Sequence, residues 1–442
     1  MKQFFVILDR LAPLKRIDHV FDHLIEHIFE LFHNECRRNM NNDKIEADLI
    51  DSNLHLRKDF NLYIIFVITS FAVMGVASIT PAFPQIIKHF HLSAKQIGYL
   101  ITVFTLPGIF LSPFMGVFAD RYGRKTIVVP AILLFGIAGL LCTFQATYQN
   151  LLILRFFQGI GAAPLGSLNV TIIGDLYESK KRIRVMGYNA SVLSISTAAF
   201  PAIGGLLASL DWQYVFLPPA LAVPFAFVVL FRLKTPRVRN SVSLKKYLGN
   251  VWKIINNKKV WGLFLVNIMA FIILYGAYLS FFPQLLASRF QANSVVIGMT
   301  MSFMSLTTAF CSSQLGRVSN KISLQNLLYL SSLLYSLSLL VLASVSSWTI
   351  LIFGVLLFGM AHGFFIPNIQ TALVGFAPLS ERAAFMSLNS VVLRIGQTLG
   401  PIVTSFFYIN KNLRPVFWVT AIFGILMIVI IKIMVGRLKI DC

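Results

Sequence analysis

The sequence predicts an all-α polytopic membrane protein with twelve transmembrane helices in two six-helix pseudo-repeats. Of its 442 residues, 57 % are hydrophobic and only 12 % are charged, whereas soluble domains carry about 25 % charged residues. The mean hydropathy is +0.75. Apolar runs recur along the chain, and positive residues collect in alternate turns between them. Such a chain has to be embedded in a lipid bilayer.

A helix needs about twenty apolar residues to cross the hydrocarbon core of a bilayer. Twelve segments meet that requirement, and polar turns separate each from the next. They cover residues 61–87, 96–118, 126–145, 150–175, 184–209, 213–231, 260–286, 294–315, 323–344, 348–376, 382–408 and 414–436.

Positive charge is distributed unevenly between the two sets of turns. One set contains the basic clusters near residues 121–125, 180–184, 232–259, 317–321, 382 and 437–439, and the other contains only Lys88, Lys95, Arg289, Lys411 and Arg414. Cytoplasmic loops retain Lys and Arg during insertion. Both termini are therefore expected in the cytoplasm, with the protein in a bacterial inner membrane. The residues behind the net charge of +21 lie mainly in turns, where they orient the protein in the membrane. No nucleic-acid partner is therefore expected.

The second half of the chain repeats the first. Residues 359 onward align without a gap on residues 159 onward at an offset of 200. The matched pairs are Gly159 with Gly359, Met186 with Met386, Asn189 with Asn389, and Pro201 with Pro401. Because the helix positions recur as well, duplication is favoured over chance. The repeat predicts a six-helix bundle at residues 60–231 and a second bundle with a short tail at residues 260–442.

Two polar regions flank these bundles. Residues 1–59 are expected to form a cytoplasmic extension with an amphipathic helix, and Met40 is a second candidate start. His19, His23 and His27 share one face of that helix, so metal binding is one interpretation. A polar face that lies on the membrane or binds a partner is favoured. Residues 232–259 predict a basic amphipathic helix on the cytoplasmic surface.

Several functional classes are not supported by the sequence. The four cysteines, Cys36, Cys142, Cys311 and Cys442, are far apart and imply no disulfide framework or zinc site. There is no phosphate loop of the G-x-x-x-x-G-K-[ST] type, so ATP is not expected to drive the protein directly. No nucleophile and base pattern indicates an enzyme, and no cofactor is expected.

A polar decapeptide joins the second and third predicted spans. It reads Gly116-Val117-Phe118-Ala119-Asp120-Arg121-Tyr122-Gly123-Arg124-Lys125. Gly116 allows close approach of a neighbouring helix, and Asp120 can accept from the free amides at a helix start. The basic residues hold the loop at the cytoplasmic face.

This decapeptide resembles the G-x-x-x-D-R-x-G-R-K loop of the major facilitator superfamily. The resemblance implies two six-helix halves with a substrate site near the midplane between them. It also implies that this loop belongs to a cytoplasmic gate in which Asp175 pairs with Arg121 or Arg124.

The fourth span contains Arg155, Gln158 and Gly159 in a segment similar to the R-x-x-Q-G-x-x-x-A segment of drug and proton antiporters in that superfamily. Arginine inside a membrane is costly unless it faces a wet cavity or a partner, so Arg155 is a functional candidate. The alternative is that Arg155 snorkels outward from near the helix end.

The eleventh span contains a deeper arginine, Arg394, near the bilayer centre. Its guanidinium keeps its charge under physiological conditions. Either it binds anionic or carbonyl groups of a substrate, with Gln397 nearby, or it ties adjacent helices together through their carbonyls.

Gly396, Gly400 and Pro401 match the G-x-x-x-G-P core of an antiporter motif in the superfamily, in which small residues four apart allow tight helix contact. The family carries this motif on the fifth helix. In that helix this chain keeps Pro201 and the pair Gly204 and Gly205.

The coupling residue differs from that of many drug exporters. Ala77 stands where their D-x-x-x-P-A-x-P pattern has an acid, and no Asp or Glu lies deep in a span. His362 is the titratable residue left near the midplane, so it is a candidate proton carrier. The alternative is a hydrogen-bonded packing role.

The resemblance implies a proton-driven secondary exporter of small, drug-like organic molecules, monomeric and without a metal site. An exporter of an endogenous anionic metabolite, such as a siderophore or organic acid, is an alternative because of the two membrane arginines. A non-transporting membrane sensor or assembly protein is an alternative from another class.

Overall fold

The computed structural model describes residues 59–234, 257–376, 382–410 and 412–436. Within these ranges, eleven helices are long and apolar enough to cross a membrane, and a further helix of 25 residues occupies the predicted eleventh span. The predicted all-α membrane fold is thereby confirmed. The helices are α1 (Phe60–His89), α2 (Tyr99–Tyr122), α3 (Arg124–Cys142), α4 (Tyr148–Leu176), α5 (Ser179–Leu210), α6 (Trp212–Arg232), α7 (Lys258–Phe290), α8 (Ser294–Ser313), α9 (Leu324–Ala343), α10 (Trp348–Phe376), α11 (Arg382–Phe406) and α12 (Arg414–Val435).

Two predicted features lie outside the described residues. These are the N-terminal amphipathic stripe, with its three histidines, and residues 235–256 of the predicted linker helix. A short helix, Leu315–Ser319, follows α8 directly.

Polar turn residues fix where several helices begin. The side chain of Thr147 accepts a hydrogen bond from the Asn150 amide at the start of α4. Asn293 and Ser323 cap α8 and α9 in the same way. Such side chains satisfy backbone N–H groups that have no intrahelical acceptor. The turns therefore set the helix ends as well as the membrane orientation.

Helix α5 begins at Ser179 instead of the predicted residue 184, so the basic cluster forms its first turns. Arg182 provides the reason. Its guanidinium donates to the carbonyls of Tyr177 at 2.9 Å and Gly174 at 2.8 Å. These carbonyls belong to the end of α4, where acceptors lack intrahelical donors. A contact between two helix ends therefore extends α5 beyond its apolar span.

The sequence repeat reappears as matched contacts within each half. Gly159 of α4 packs on the carbonyl of Phe104 in α2, which a Cβ at Gly159 would overlap. Gly359 of α10 packs on the carbonyl of Met304 in α8, which would lie 2.9 Å from a Cβ. The partners in each pair are separated by the same offset of 200. Helices α2 and α4 therefore pack as α8 and α10 do.

Two further matched contacts join the halves to each other. Pro401 of α11 packs on Gly98, directly before α2, where a glycine Cβ would come within 2.7 Å of the Pro401 Cβ. The carbonyl oxygen of Pro201 in α5 packs on Gly298 of α8, where a Cβ would overlap that oxygen. These partners again differ by 200. The contacts between the halves thus follow the pseudo-symmetry of the repeat.

Helices α1 and α7 are both irregular near one end. A 3₁₀ turn, Thr80–Ala82, interrupts α1 directly before Phe83-Pro84-Gln85. A π-helical segment, Ile273–Phe281, interrupts α7 directly before Phe282-Pro283-Gln284. Proline removes a backbone donor, and irregular backbone at membrane depth is tolerated where protein buries it or where it lines a cavity.

Gly159→Ala is expected to lower the unfolding temperature, because the new methyl would overlap the Phe104 backbone and overpacking costs about 1–3 kcal/mol. Gly166→Ala on the same helix is the matched control, since nothing lies within 4 Å of a Cβ there. Thermal unfolding of both purified variants in detergent measures the difference. Equal unfolding temperatures would contradict the packing of α4 on α2.

Candidate functional site

The turn between α2 and α3 is tied to the end of α4. Gly123 makes the turn with a φ of +96°, a conformation that favours glycine. The next residue, Arg124, is 5 % exposed, and its Nε lies 2.8 Å from Oδ2 of Asp175. Arg121 is exposed, with its guanidinium 5.5 Å from the ring centre of Tyr122. The structure therefore pairs Asp175 with Arg124.

The other residues of the predicted gate motif are close to Arg124 in the sequence. Gly116 and Asp120 belong to α2, but the surroundings of these two residues lie outside the described part of the structure. Lys125 is half-buried in the first turn of α3. Within the described residues, this motif therefore contacts the rest of the protein through the ion pair that joins Arg124 of α3 to Asp175 of α4.

Arg155 is fully buried between α2 and α4 and does not snorkel outward. Its Nε donates to the carbonyl of Leu100 at 3.3 Å, and its Nη1 donates to Oε1 of Gln158 at 2.6 Å. The guanidinium also lies 4.1 Å from the ring centre of Phe104, a favourable cation–π distance. Nη2 of Arg155 and Nε2 of Gln158 have no hydrogen-bond partner. Arg155 therefore joins α4 to α2, and two nitrogen atoms of Arg155 and Gln158 remain without an acceptor.

Arg394 lies in a different environment, at the boundary between the halves. It is half-buried, and its side chain covers Gly108 of α2, where a Cβ would come within 2.9 Å of its Cδ and Nε. Tyr275 of α7 is close enough to Arg394 to interact with its charge. Within the part of the chain that the structure describes, Arg394 makes no hydrogen bond and no ion pair. Its guanidinium is therefore available to a ligand.

Gln397 lies almost one turn beyond Arg394 on α11, and residues three apart share a helix face. Its Oε1 is buried and has no hydrogen-bond partner. The next residue, Thr398, fixes α11 to α2: its hydroxyl lies 2.8 Å from that of Thr105, and its carbonyl accepts from Thr102 at 3.1 Å. The region around Gln397 is thus held in place from the opposite half.

The glycines of α11 bring this helix close to α7. A Cβ at Gly396 would lie 2.6 Å from the Cβ of Phe271, and one at Gly400 would lie 2.9 Å from the amide nitrogen of Gly276. Gly276 belongs to the π-helical segment of α7, and such turns are frequent at functional sites. The same segment carries Tyr275, the neighbour of Arg394.

The proline and glycine stretch of α5 contacts both halves. Gly204 packs on the carbonyl of Ser78 in α1, and Gly205 packs on the carbonyl of Ser294 in α8. Together with Pro201, these residues leave little space between the helices. The equivalent stretch of α11 also touches both halves, because Gly396 and Gly400 face α7 while Pro401 faces Gly98.

His362 lies against α9 within the second half. Its Nδ1 is 2.6 Å from the hydroxyl of the fully buried Tyr335. The rings of Phe358 and Phe365, on neighbouring turns of α10, pack on the same tyrosine. This setting is that of a packed, hydrogen-bonded histidine, and a role in proton transfer stays a prediction.

Sequence reasoning missed a polar cluster in the first half. Thr69 of α1, Asn169 of α4 and Asn189 of α5 are all buried. Oγ1 of Thr69 lies 2.5 Å from Oδ1 of Asn189, and Nδ2 of Asn169 donates to that same oxygen at 3.1 Å and to the Thr69 hydroxyl. The cluster links three helices.

The second half contains a matching cluster. Nδ2 of Asn267 in α7 donates to Oδ1 of Asn389 in α11 at 2.9 Å, and Nδ2 of Asn389 donates to Oε1 of Gln370 in α10 at 3.1 Å. The match of Asn189 with Asn389 in the repeat was the available signal. Their partners could be assigned only once the helix packing was known.

The described residues contain no group of three or more His, Cys, Asp or Glu side chains that could hold a metal ion. The polar groups between the spans are instead arginine, amide, hydroxyl and one imidazole. Such groups can bind and orient an organic molecule, and the buried arginines favour groups with negative charge or strong acceptors.

Comparison with curated proteins identifies relatives along most of the chain. Multidrug resistance protein 2 of Bacillus subtilis (strain 168) is 24 % identical over 338 residues, covering 75 % of this chain and 84 % of the relative. The Bacillibactin exporter of the same strain is 23 % identical and covers 77 % and 87 %. Multidrug resistance protein 1 of that strain is 29 % identical, but the match spans only 46 % of its length and 41 % of this chain.

A solved structure supports the same fold. A bacterial homologue of the human lysosomal transporter Spinster, in an inward-facing and occupied conformation, superposes with a TM-score of 0.72 at 18 % identity. The match covers 84 % of this chain and 95 % of that one. The family model described as Major Facilitator Superfamily matches residues 65–285 and again residues 263–439. The chain therefore belongs to the major facilitator superfamily.

Proposed function

We propose that this protein is a secondary active exporter of small, drug-like organic molecules that works by alternating access. The observation that carries the proposal is the symmetric pair of contacts between the halves, Pro401 on Gly98 and Pro201 on Gly298. Two related bundles that touch through such contacts can rock against each other around a central site. Relatives named as multidrug resistance proteins and as a Bacillibactin exporter support export as the direction.

The positions of these contacts support a conformation closed on one side. Both lie at the end where α1 finishes and α2 begins. At the same end Thr80 approaches Sδ of Met301 at 3.7 Å, and Nε2 of Gln284 donates to the carbonyl of Ala94 at 3.4 Å. The bias of basic residues assigns this end to the outside, with both termini in the cytoplasm of a bacterial inner membrane. A substrate would then reach Arg394 from the cytoplasm, as export requires.

A second candidate is the export of an endogenous anionic metabolite. The unpartnered Arg394 favours it, because a guanidinium in a membrane needs an anionic or carbonyl partner.

We further propose that the protein works as a monomer and that residues 1–59 bind a partner. The alternative of a non-transporting sensor is disfavoured, since the centre retains polar groups suited to a ligand.

Everted membrane vesicles that contain the protein are expected to accumulate at least one dye from a panel with ethidium as cation, Nile red as neutral compound and fluorescein as acid. A protonophore should abolish the accumulation, because proton flow is proposed to supply the energy. Vesicles without the protein are the control. Accumulation of none of the three, by protein that is folded and inserted, would argue against the exporter function.

Asp175→Asn is expected to reduce transport several-fold without preventing insertion. It removes a partly buried, charge-assisted hydrogen bond to Arg124, an interaction worth about 1.5–3 kcal/mol. The exchanged pair, Arg124→Asp with Asp175→Arg, should recover part of the activity. Wild-type transport by Asp175→Asn at matched expression would remove this ion pair from the gate.

His362→Gln is expected to bind substrate but to lose the stimulation by an imposed proton gradient, because glutamine hydrogen-bonds without titrating. Tyr335→Phe is the matched control, since it removes the partner hydroxyl and leaves the imidazole in place. Uptake into everted vesicles at several imposed gradients measures the coupling. Unchanged gradient dependence in His362→Gln would exclude this residue as the carrier.

A further inference from the structure

Arg394 and Gln397 lie on α11, where this helix packs on α2 through Gly108 and Thr398, and Tyr275 of α7 lies beside Gly400 of the same helix. We infer that they form a subsite for an organic acid that carries a hydrogen-bond donor near its anionic group, as 3-hydroxybenzoate does. The inference rests on the proposed function, because an exporter has to bind its substrate between the halves. It specifies the chemistry of that substrate.

The anionic group follows from the surroundings of Arg394. A partly buried guanidinium without a partner is unfavourable, and its planar fork binds a carboxylate with two parallel hydrogen bonds. Arg155 provides a contrast within the same molecule, since its guanidinium already donates to Leu100 and Gln158 and faces Phe104. Gly108 leaves the space that the Arg394 side chain occupies. Only Nη2 of Arg155 lacks a partner, whereas the whole guanidinium of Arg394 makes no hydrogen bond or ion pair among the described residues.

The adjacent donor follows from Gln397. Its Oε1 is a buried acceptor without a partner, and a buried acceptor is stabilised only when a donor reaches it. Residues three apart on a helix have Cβ atoms about 5–6 Å from each other, a separation that one aromatic ring can bridge. A simple carboxylate offers acceptors alone and would leave this oxygen unsatisfied. A hydroxyl meta to the carboxylate on the same ring would satisfy it.

Tyr275 completes the subsite from α7. The π-helical segment Ile273–Phe281 and the close approach of Gly276 to Gly400 bring this part of α7 against α11. The Tyr275 hydroxyl can both donate and accept a hydrogen bond, so it suits a ligand that presents both kinds of group. A chloride ion could neutralise Arg394, but it has no donor for Oε1 of Gln397.

The test measures binding of three acids to the purified full-length protein in detergent by isothermal titration calorimetry. The acids are 3-hydroxybenzoate, 3-methoxybenzoate, which keeps the oxygen but lacks the donor, and unsubstituted benzoate. We expect 3-hydroxybenzoate to bind about tenfold more tightly than the other two, the scale of one hydrogen bond to a buried group. Gln397→Leu should remove this preference, so that the three acids bind with similar affinity.

Two variants test the anionic contact. Arg394→Gln should weaken all three acids at least tenfold. Gly108→Ala should weaken them as well, because it displaces the guanidinium without removing its charge, while Gly166→Ala should bind like the wild type. The thermal unfolding of each variant establishes that it is folded.

Equal affinity of the wild type for the three acids, or an undiminished preference in Gln397→Leu, overturns the inference. These results are distinguishable from failure of the proposed function. A protein that exports ethidium yet shows no preference among the acids keeps its function and loses the subsite. A protein that shows the expected preferences yet moves no compound into vesicles keeps the subsite and loses the exporter function.

Discussion

Close packing of helix backbones at glycine, repeated at an offset of 200 residues, is the constraint on which the rest of this structure depends. Inside a bilayer, lipid chains are as apolar as leucine, so helices associate through tight packing and hydrogen bonds. Gly98 and Gly298 allow Pro401 and Pro201 to approach from the opposite half. The halves meet at two equivalent places, and in the proposed alternating access these are the places about which one half turns against the other.

The two membrane arginines lie in different places relative to the two halves. Arg155 lies inside one half, where the carbonyl of Leu100, the amide of Gln158 and the ring of Phe104 surround it. It therefore moves with that half. Arg394 lies at the boundary and has no such partners among the described residues. If the halves rock as proposed, a charge at the boundary meets different surroundings in each state, which would couple its need for a partner to the proposed transport cycle.

Features set by local sequence were predictable, and those set by packing were not. Span length and hydropathy are local, so a helix lies within several residues of the predicted bounds of each of the twelve spans. A positive φ at Gly123 suits the glycine of the loop motif. The early start of α5 depends on carbonyls at the end of α4, to which Arg182 donates. Likewise, no local pattern brings Gly108 to Arg394, because helix packing alone unites positions so distant in the chain.

Rocking of the halves about the paired glycine contacts can be measured directly as distances between spin labels on the two halves. With the four cysteines replaced by serine, one pair of labels would replace the exposed residues Ile183 and Lys321, and another the exposed residues Asn150 and Ser346 at the opposite end. Pulsed electron paramagnetic resonance measures both distances with and without a transported compound. Rocking would change the two distances reciprocally, so we expect the first to shorten as the second lengthens. Two distances that stay fixed, or that change in the same direction, in protein that transports would contradict it.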